Sequence, residues 1–431
     1  MVGKLEKLLF LILQNPVFLA AFICAVLFYS NILPIADREE FKCLLKFDSI
    51  TDVNGVLSSN PVKTASGAYY SAWILVSEVQ SSSGSKGSAK GSVCVYVPAS
   101  FIEALYPGKI YTKVKNESIL FEQGVSLKLK VRFLPDNRNS KPTFIVESAT
   151  SEGFENSLRG RFRALRARSR IQFKRLMYGW KGAGALLLAL LSGSREYTED
   201  GLSDAFRKAG LSHILALSGM HLSLFGGIAF FLGNKLARRN LADLLQLLAV
   251  LFFVWFAGVS PSLFRSLLSS LIMFVNSSLR LKRFKGLTVL SASFLIHIMI
   301  YPSDMMSVTF MLSYGALTGI MTIGQLIKML LTRRIFPKLS DGLSQSAGAQ
   351  LFTAPISIKY FGAIMPIGII STLFMSPLIL LFLYTGLFAI IICLLLPFLE
   401  PFFNVIMNII YKAIQFTVNF FQMFPSITIR N

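Results

Sequence analysis

Apolar and polar positions divide the chain into stretches of different rhythm. Residues 8 to 33 form one long apolar run, with Lys4 and Lys7 before it and Asp37, Glu39 and Glu40 after it. That run is longer than the apolar part of a usual secretion signal, and no clear small-residue cleavage site follows. A retained anchor over residues 1–36 is therefore expected, with a cleaved leader as the rival reading. The charge asymmetry puts the N-terminus in the cytoplasm and residue 40 outside. From 37 to 155 the period shortens to two. Alternating, β-branched stretches occupy 49–58, 69–80, 91–97, 125–134 and 143–149, separated by turn-rich segments such as 81–91. Five short strands with Gly55 inside the first predict a small closed barrel of the OB-like kind over 37–155.

The rhythm changes again at Leu158. Plotted at about 100° per residue, Leu158, Phe162, Leu165, Phe173 and Leu176 share one face of a helix within 156–182. Arg159, Arg163, Arg166, Arg170 and Lys174 flank that face on one side, and Arg161, Arg168 and Arg175 on the other. Such a helix lies in a membrane interface with its arginines reaching for phosphate. The phosphate of lipid headgroups and that of a nucleic-acid strand both fit. From Ala183 onward apolar spans recur near 211–234, 241–258, 261–278, 287–301, 308–331 and 343–361, with two or more between 364 and 424. Basic clusters fall at every second junction: Lys235, Arg238 and Arg239; Arg280, Lys282, Arg283 and Lys285; Arg333, Arg334 and Lys338. The positive-inside bias makes those junctions cytoplasmic. Pro366, Pro377, Pro397 and Pro401 interrupt the last spans and permit re-entrant segments.

Composition sharpens this picture. At 53% hydrophobic residues and 38 phenylalanines in 431 residues, the chain is too apolar for a soluble protein of its size. The fold class expected is a polytopic α-helical membrane protein with an extracytoplasmic OB-like β-barrel domain. The formal charge of +21 suits a polyanionic partner or anionic lipid. In the barrel, Tyr69, Tyr70, Trp73, Tyr96, Lys128, Lys130 and Arg132 can supply the aromatics and cations of a single-strand groove; as ordinary strand residues they need no such role. Cys43 and Cys94 can pair if the compartment is oxidising, whereas Cys24 and Cys393 sit in apolar runs as packing residues.

Chemistry-bearing residues are few. His213 and His221 bracket His213-Ile-Leu-Ala-Leu-Ser-Gly-Met-His221, inside an apolar span where imidazole is costly unless it meets water or a partner. On one straight helix they are separated by about 12 Å of rise and cannot share a metal. With His297 the only other histidine and no cysteine cluster of metal spacing, neither a metal nor another cofactor is implied. Ser218 and His221 are spaced for a hydrogen bond, which admits an intramembrane hydrolase or ordinary helix packing. Arg265, in Gly258-Val-Ser-Pro-Ser-Leu-Phe-Arg265, costs several kcal/mol in an apolar span unless it faces water, a carboxylate or a phosphate. Gly315 and Gly319 have the spacing that lets helices approach closely.

Four blocks resemble the ComEC-type competence channel family. The first runs from Gly193-Ser-Arg195 through Asp204-Ala-Phe-Arg-Lys-Ala-Gly210 to His221. The others are Gly258-Val-Ser-Pro261 with Arg265, Pro302 with Phe310-Met-Leu-Ser-Tyr314, and Gln350, Pro355, Phe361-Gly362 and Ser376-Pro377-Leu378. The resemblance implies a bacterial inner-membrane channel that takes up single-stranded DNA in natural transformation, and not an enzyme. It puts His213, Ser218, Gly219 and His221 on the channel lining, with Arg265 from a neighbouring helix. The partners it implies are single-stranded DNA, membrane lipid, a DNA receptor, and a cytoplasmic helicase or motor. The motor must be separate, because the chain has no Gly-x-x-x-x-Gly-Lys-Ser/Thr phosphate loop. Longer members carry a metallo-β-lactamase-like domain; without a His-x-His-x-Asp-His cluster, this chain reads as the short form, with strand degradation left to another protein. Met311 stands where the family usually has glutamine, and Thr372 where asparagine is common. A membrane hydrolase built on Ser218 and His221, and a small-solute transporter whose basic helix binds only lipid, are the rival functions.

Overall fold

The computed structural model describes residues 15–30, 32, 41–64, 66–104, 121–135, 142–195, 198–199, 201–217, 219–236, 239–279, 285–332 and 336–428. The chain divides into two compact units: residues 37–189 with 194–198, and residues 1–36, 190–193 and 199–431.

Asn15 opens helix α1 (Pro16–Tyr29), its side chain accepting from the Phe18 amide, with Pro16 at the first helical position where no amide is missed. The period-two region then folds as β1 (Lys42–Cys43), β2 (Ile50–Leu57), β3 (Val62–Lys63), β4 (Tyr69–Ser81), β5 (Lys86–Lys90), β6 (Ser92–Pro98), a short helix α2 (Ala99–Glu103), β7 (Ser126–Leu134) and β8 (Thr143–Gly153). Each stretch expected to be a strand holds one. The turn-rich segment holds a further strand, β5, which folds back on β4 through a turn that uses Gly84 at φ +82°.

Alternation along β4, β6 and β7 sends every second side chain inward. Val53, Ile74, Val95, Leu129, Phe144 and Val146 meet in one apolar core, each stabilising by about 1.5–3 kcal/mol on burial. The antiparallel pairings are β4 with β2, β2 with β7, β7 with β8, and β6 with β4; β8 lies parallel beside β6. Gly55 sits at a register shift in β2, and a Cβ there would lie 2.4 Å from the Leu75 carbonyl oxygen. Only glycine lets the two backbones approach so closely. Cys43 and Cys94 are free thiols: the Cys43 sulfur bonds the backbone of Leu45, while Cys94 lies opposite Trp73 in the β4–β6 ladder. Burial pushes the Cys94 thiol upward.

Helix α3 (Leu158–Gly179) belongs to the same unit as the sheet, opened by the Ser157 side chain accepting from the Gly160 amide. Leu158, Phe162 and Leu165 are exposed, as a face turned toward lipid would be, but Leu176 is buried and Phe173 half-buried. The predicted apolar stripe is thus open only over the first half of the helix. Helix α4 (Lys181–Ser192) follows, buried from Ala183 to Ser192.

The second unit is helical: α5 (Leu202–Lys208), α6 (Ser212–Leu215), α7 (Gly219–Leu236), α8 (Arg239–Ala257), α9 (Pro261–Ser278), α10 (Gly286–Ile300), α11 (Val308–Met321), α12 (Ile323–Leu331) and α13 (Pro337–Phe361). A short strand β9 (Ala363–Ile364) precedes α14 (Gly368–Leu395) and α15 (Glu400–Phe421), and β10 (Ile427–Thr428) pairs back onto β9. Among the described residues, two stretches, Val308–Leu331 and Gly368–Leu395, are long and apolar enough to cross a membrane. Pro377 lies inside α14 without ending it. The Gly315/Gly319 face of α11 packs on α13, where a Cβ at Gly319 would lie 2.2 Å from the Gly348 carbonyl oxygen. Close helix packing accounts for that glycine pair.

Candidate functional site

Ser260 caps α9 and Pro261 starts it, so Arg265 falls in the second turn of that helix. Its side chain is 8% exposed. The guanidinium donates from Nε to Ser313 Oγ of α11 at 2.7 Å and from Nη2 to Ser266 Oγ at 3.1 Å. A Cβ on Gly219, the first residue of α7, would sit 3.3 Å from Nη2. The absence of a side chain there is what leaves room for the cation. Among the described residues no carboxylate lies within ion-pair distance of Arg265. A buried guanidinium held only by hydroxyls keeps its full charge uncompensated, which is costly unless an anion visits. Gly219 and Ser260 also bring two helix N-termini toward it, and their partial positive charge favours the same visitor.

Behind Arg265 lies a second set of polar groups. His297 of α10 is fully buried; its Nδ1 is 3.2 Å from the Tyr314 hydroxyl and its Nε2 is 3.2 Å from Asp304 Oδ2. Tyr314, next to Ser313 in α11, donates to the Ser293 carbonyl at 3.1 Å. Phe264 and Phe310 press edge-on against the imidazole. Asp304 belongs to the 3-10 turn Pro302–Met306 between α10 and α11, held where the Ser307 amide and hydroxyl donate to its carbonyl. The sequence pattern by itself assigned neither residue a role. The available signal was that Asp304 is the only charged residue from 287 to 327, seven places after the one histidine there.

The expected channel residues do not form one row. The histidines are not on a single straight helix: α6 ends at Leu215, Ala216 is extended, and α7 begins at Gly219. His213 is exposed on α6, with a hydrogen bond to the Gly210 backbone, while His221 is buried on α7. Ser218 lies outside the described residues. Gly219 and Arg265 are brought together. The first and fourth blocks meet elsewhere: a Cβ on Gly210, at φ +74°, would lie 2.5 Å from Gly368 Cα. There Ser371 donates to the Ala209 carbonyl, and Gln350 bonds the Met365 carbonyl. Thr372 donates to the Gly368 carbonyl within α14. An apolar groove of about 720 Å³ between α14 and α15 is lined by residues such as Phe374, Phe416 and Phe420 and contains none of these polar groups.

In the sheet unit, one flank of the arginine helix turns inward, which corrects two of the expected strand-binding residues. Arg170 is 1% and Lys174 3% exposed, and both pair with Glu122: Arg170 Nε to Oε2 at 3.0 Å, Lys174 Nζ to Oε1 at 2.6 Å. Arg170 also donates to Ser194, and Arg166 to Gln123 at 2.8 Å. Burial alone would raise the Glu122 carboxyl, but the Lys174 ammonium and Arg170 guanidinium outweigh it and hold it below the usual carboxylate range. Desolvation and the neighbouring Arg170 push Arg166 down to about 10. Arg163 lies along Gly124. Arg159, Arg161 and Arg168 remain exposed, and Arg175 is half-buried.

The aromatic and cationic strand residues also separate. Tyr69, Trp73 and Tyr96 stand half-exposed on β4 and β6, whereas Tyr70 is buried in the core. Lys128, Lys130 and Arg132 lie on β7, which pairs with neither of those strands. Lys128 pairs with Glu152 and Arg132 with Glu147.

Among the described residues, these features mark a mostly helical chain with two candidate membrane helices, a separate sheet unit and a buried cation without a carboxylate partner. The family model described as "Competence protein" matches residues 190–431, more than half of the chain. The chain belongs to the ComEC-type competence protein family. It is 27% identical over 197 residues to ComE operon protein 3 of Bacillus subtilis (strain 168), covering 44% of this chain and 24% of that one. It is 29% identical over 211 residues to an uncharacterized protein of Aquifex aeolicus (strain VF5), covering 48% of each. The aligned region thus spans about a quarter of the first relative and about half of the second. No solved structure matches the chain.

Proposed function

We propose that this protein is a multi-pass membrane conduit for single-stranded DNA in natural transformation. Its binding site for the passing phosphate backbone is the Arg265 cluster. The observation that carries this reading is a buried guanidinium beside Gly219 that, among the described residues, has hydroxyls but no carboxylate around it. A polyanion supplies one phosphate after another to such a group, and serine hydroxyls hold the fork without neutralising it.

Membrane residence is supported by the outward side chains of the helical unit. Leu251, Phe252, Phe388, Ile391, Phe402 and Ile409 are all exposed, an apolar belt that water does not tolerate but lipid does. The alternation of basic junctions then puts Gly219, Ser260 and Asp304 at the extracytoplasmic ends of their helices, so the Arg265 cluster guards the outer mouth. The ring of strand pairings, with β8 parallel to β6, supports an OB-like barrel over the sheet region, extracytoplasmic in this topology. The exposed stripe of Leu158, Phe162 and Leu165, with Arg159, Arg161 and Arg168 around it, supports contact of α3 with the anionic bilayer surface. Force on the strand comes from a separate motor, and the conduit itself does no covalent chemistry.

The test is uptake of labelled DNA by cells carrying Arg265→Gln in place of the wild-type protein, with membrane insertion checked by protein level. Uptake lost at normal protein level supports the conduit; uptake at the wild-type rate refutes the assignment of Arg265.

A further inference from the structure

We infer that His297 and Asp304 together form a proton-binding site whose occupancy sets the direction of the Tyr314 hydroxyl beside Arg265. The inference rests on donor and acceptor arithmetic at one buried ring. Tyr314 has a single hydroxyl proton, which goes to the Ser293 carbonyl. The Tyr314 oxygen can then only accept from His297, so Nδ1 carries a proton. On the other side Nε2 faces Asp304 Oδ2. An ionised carboxylate only accepts, so a second proton must lie between these two atoms, on Nε2 or on the carboxyl. The arrangement therefore holds one proton more than a neutral imidazole beside a carboxylate.

Removing that proton has one hydrogen-bonded outcome. The ring keeps Nε2–H toward the Asp304 carboxylate, Nδ1 becomes an acceptor, and the Tyr314 hydroxyl swings from the Ser293 carbonyl to Nδ1. One proton leaves and one hydroxyl reverses. Solvent reaches the site from the Asp304 end, where the side chain is 19% exposed while the imidazole is fully buried. Among the described residues, the other titratable groups packed around it include Tyr301, against Phe264, Tyr29, whose hydroxyl donates to the Met305 carbonyl, and Cys24, which packs on the same apolar cluster. Arg265 interacts electrostatically with the Tyr314 hydroxyl. The proton thus changes the net charge and the dipole facing Arg265 without moving a helix.

The chain's three histidines make the test tractable. Full-length protein carrying isotope-labelled histidine, in lipid nanodiscs without DNA, is followed by nitrogen NMR from about pH 5 to about pH 8. The variant His297→Gln identifies the His297 signals. Nδ1 of His297 is expected to be protonated at the acid end and unprotonated at the alkaline end. In Asp304→Asn that transition is expected to move down by about 1–3 pH units, because the carboxylate no longer favours the charged ring. A Nδ1 signal in one state throughout, or a transition unmoved in Asp304→Asn, would overturn the inference. Because no DNA is present, either result leaves the conduit reading untouched.

Discussion

The two units treat buried cations in opposite ways. In the sheet unit Arg170 and Lys174 converge on Glu122, and each carboxylate oxygen has its own donor at 3.0 and 2.6 Å. In the helical unit Arg265 is almost as deeply buried, but among the described residues its guanidinium is met by the hydroxyls of Ser313 and Ser266 and by no carboxylate. Cations answered by a shared carboxylate are part of the scaffold: they tie α3 to the segment 121–124, and their donors are engaged there. A cation answered by hydroxyls is oriented but not neutralised, which is the arrangement a transient anion needs. The difference shows that counting arginines does not locate a polyanion site. Counting their carboxylates does.

The largest effect should come from breaking the scaffold. Glu122→Gln leaves two buried cations without their counter-ion and should cost about 3–5 kcal/mol, read as a lowered denaturant midpoint from the fluorescence of the buried Trp180. If stability is unchanged, the cluster is not structural and the contrast with Arg265 fails. Acid should act on the same group. Because its folded carboxyl titrates below the unfolded value, the Glu122 contribution is fully present above about pH 4.3. It is lost as pH falls through the lower folded value, so the midpoint should hold near neutrality and drop only in strong acid.

Arg265→Gln should do the reverse. Folding should stay near wild type, while DNA uptake falls at least ten-fold, about 1.4 kcal/mol. Ser313→Ala removes one donor's partner and should cost about 1 kcal/mol, with uptake reduced but not abolished. Smallest of all, Arg161→Gln with Arg168→Gln should move stability by less than about 0.5 kcal/mol. The salt dependence of DNA binding should lose a slope of about 1 per contact removed. An unchanged slope would leave those two arginines to the lipid.

Legibility differed by residue. The strands could be read because a two-residue period records which side chains face a core. Helix positions could be read because long apolar runs bounded by basic clusters record where helices start and stop. Arg265 stood out because a lone charge in an apolar span demands a reason. The arginine helix could be read only halfway: the wheel found both basic flanks, but Glu122, more than thirty residues upstream in a turn, decides which flank is buried. The break between α6 and α7 was invisible because the segment stays apolar through it.

By itself the sequence determined where the chain alternates, where it runs apolar, and which few polar groups need explaining. Those are local properties, carried by period and composition. Only the tertiary structure decided which cation meets a carboxylate, that His297 lies between Asp304 and Tyr314, and that Gly219 leaves space for Arg265. Each is a contact between separate elements, and at a distance of about 3 Å a partner is fixed by how helices and strands pack, which no local pattern encodes.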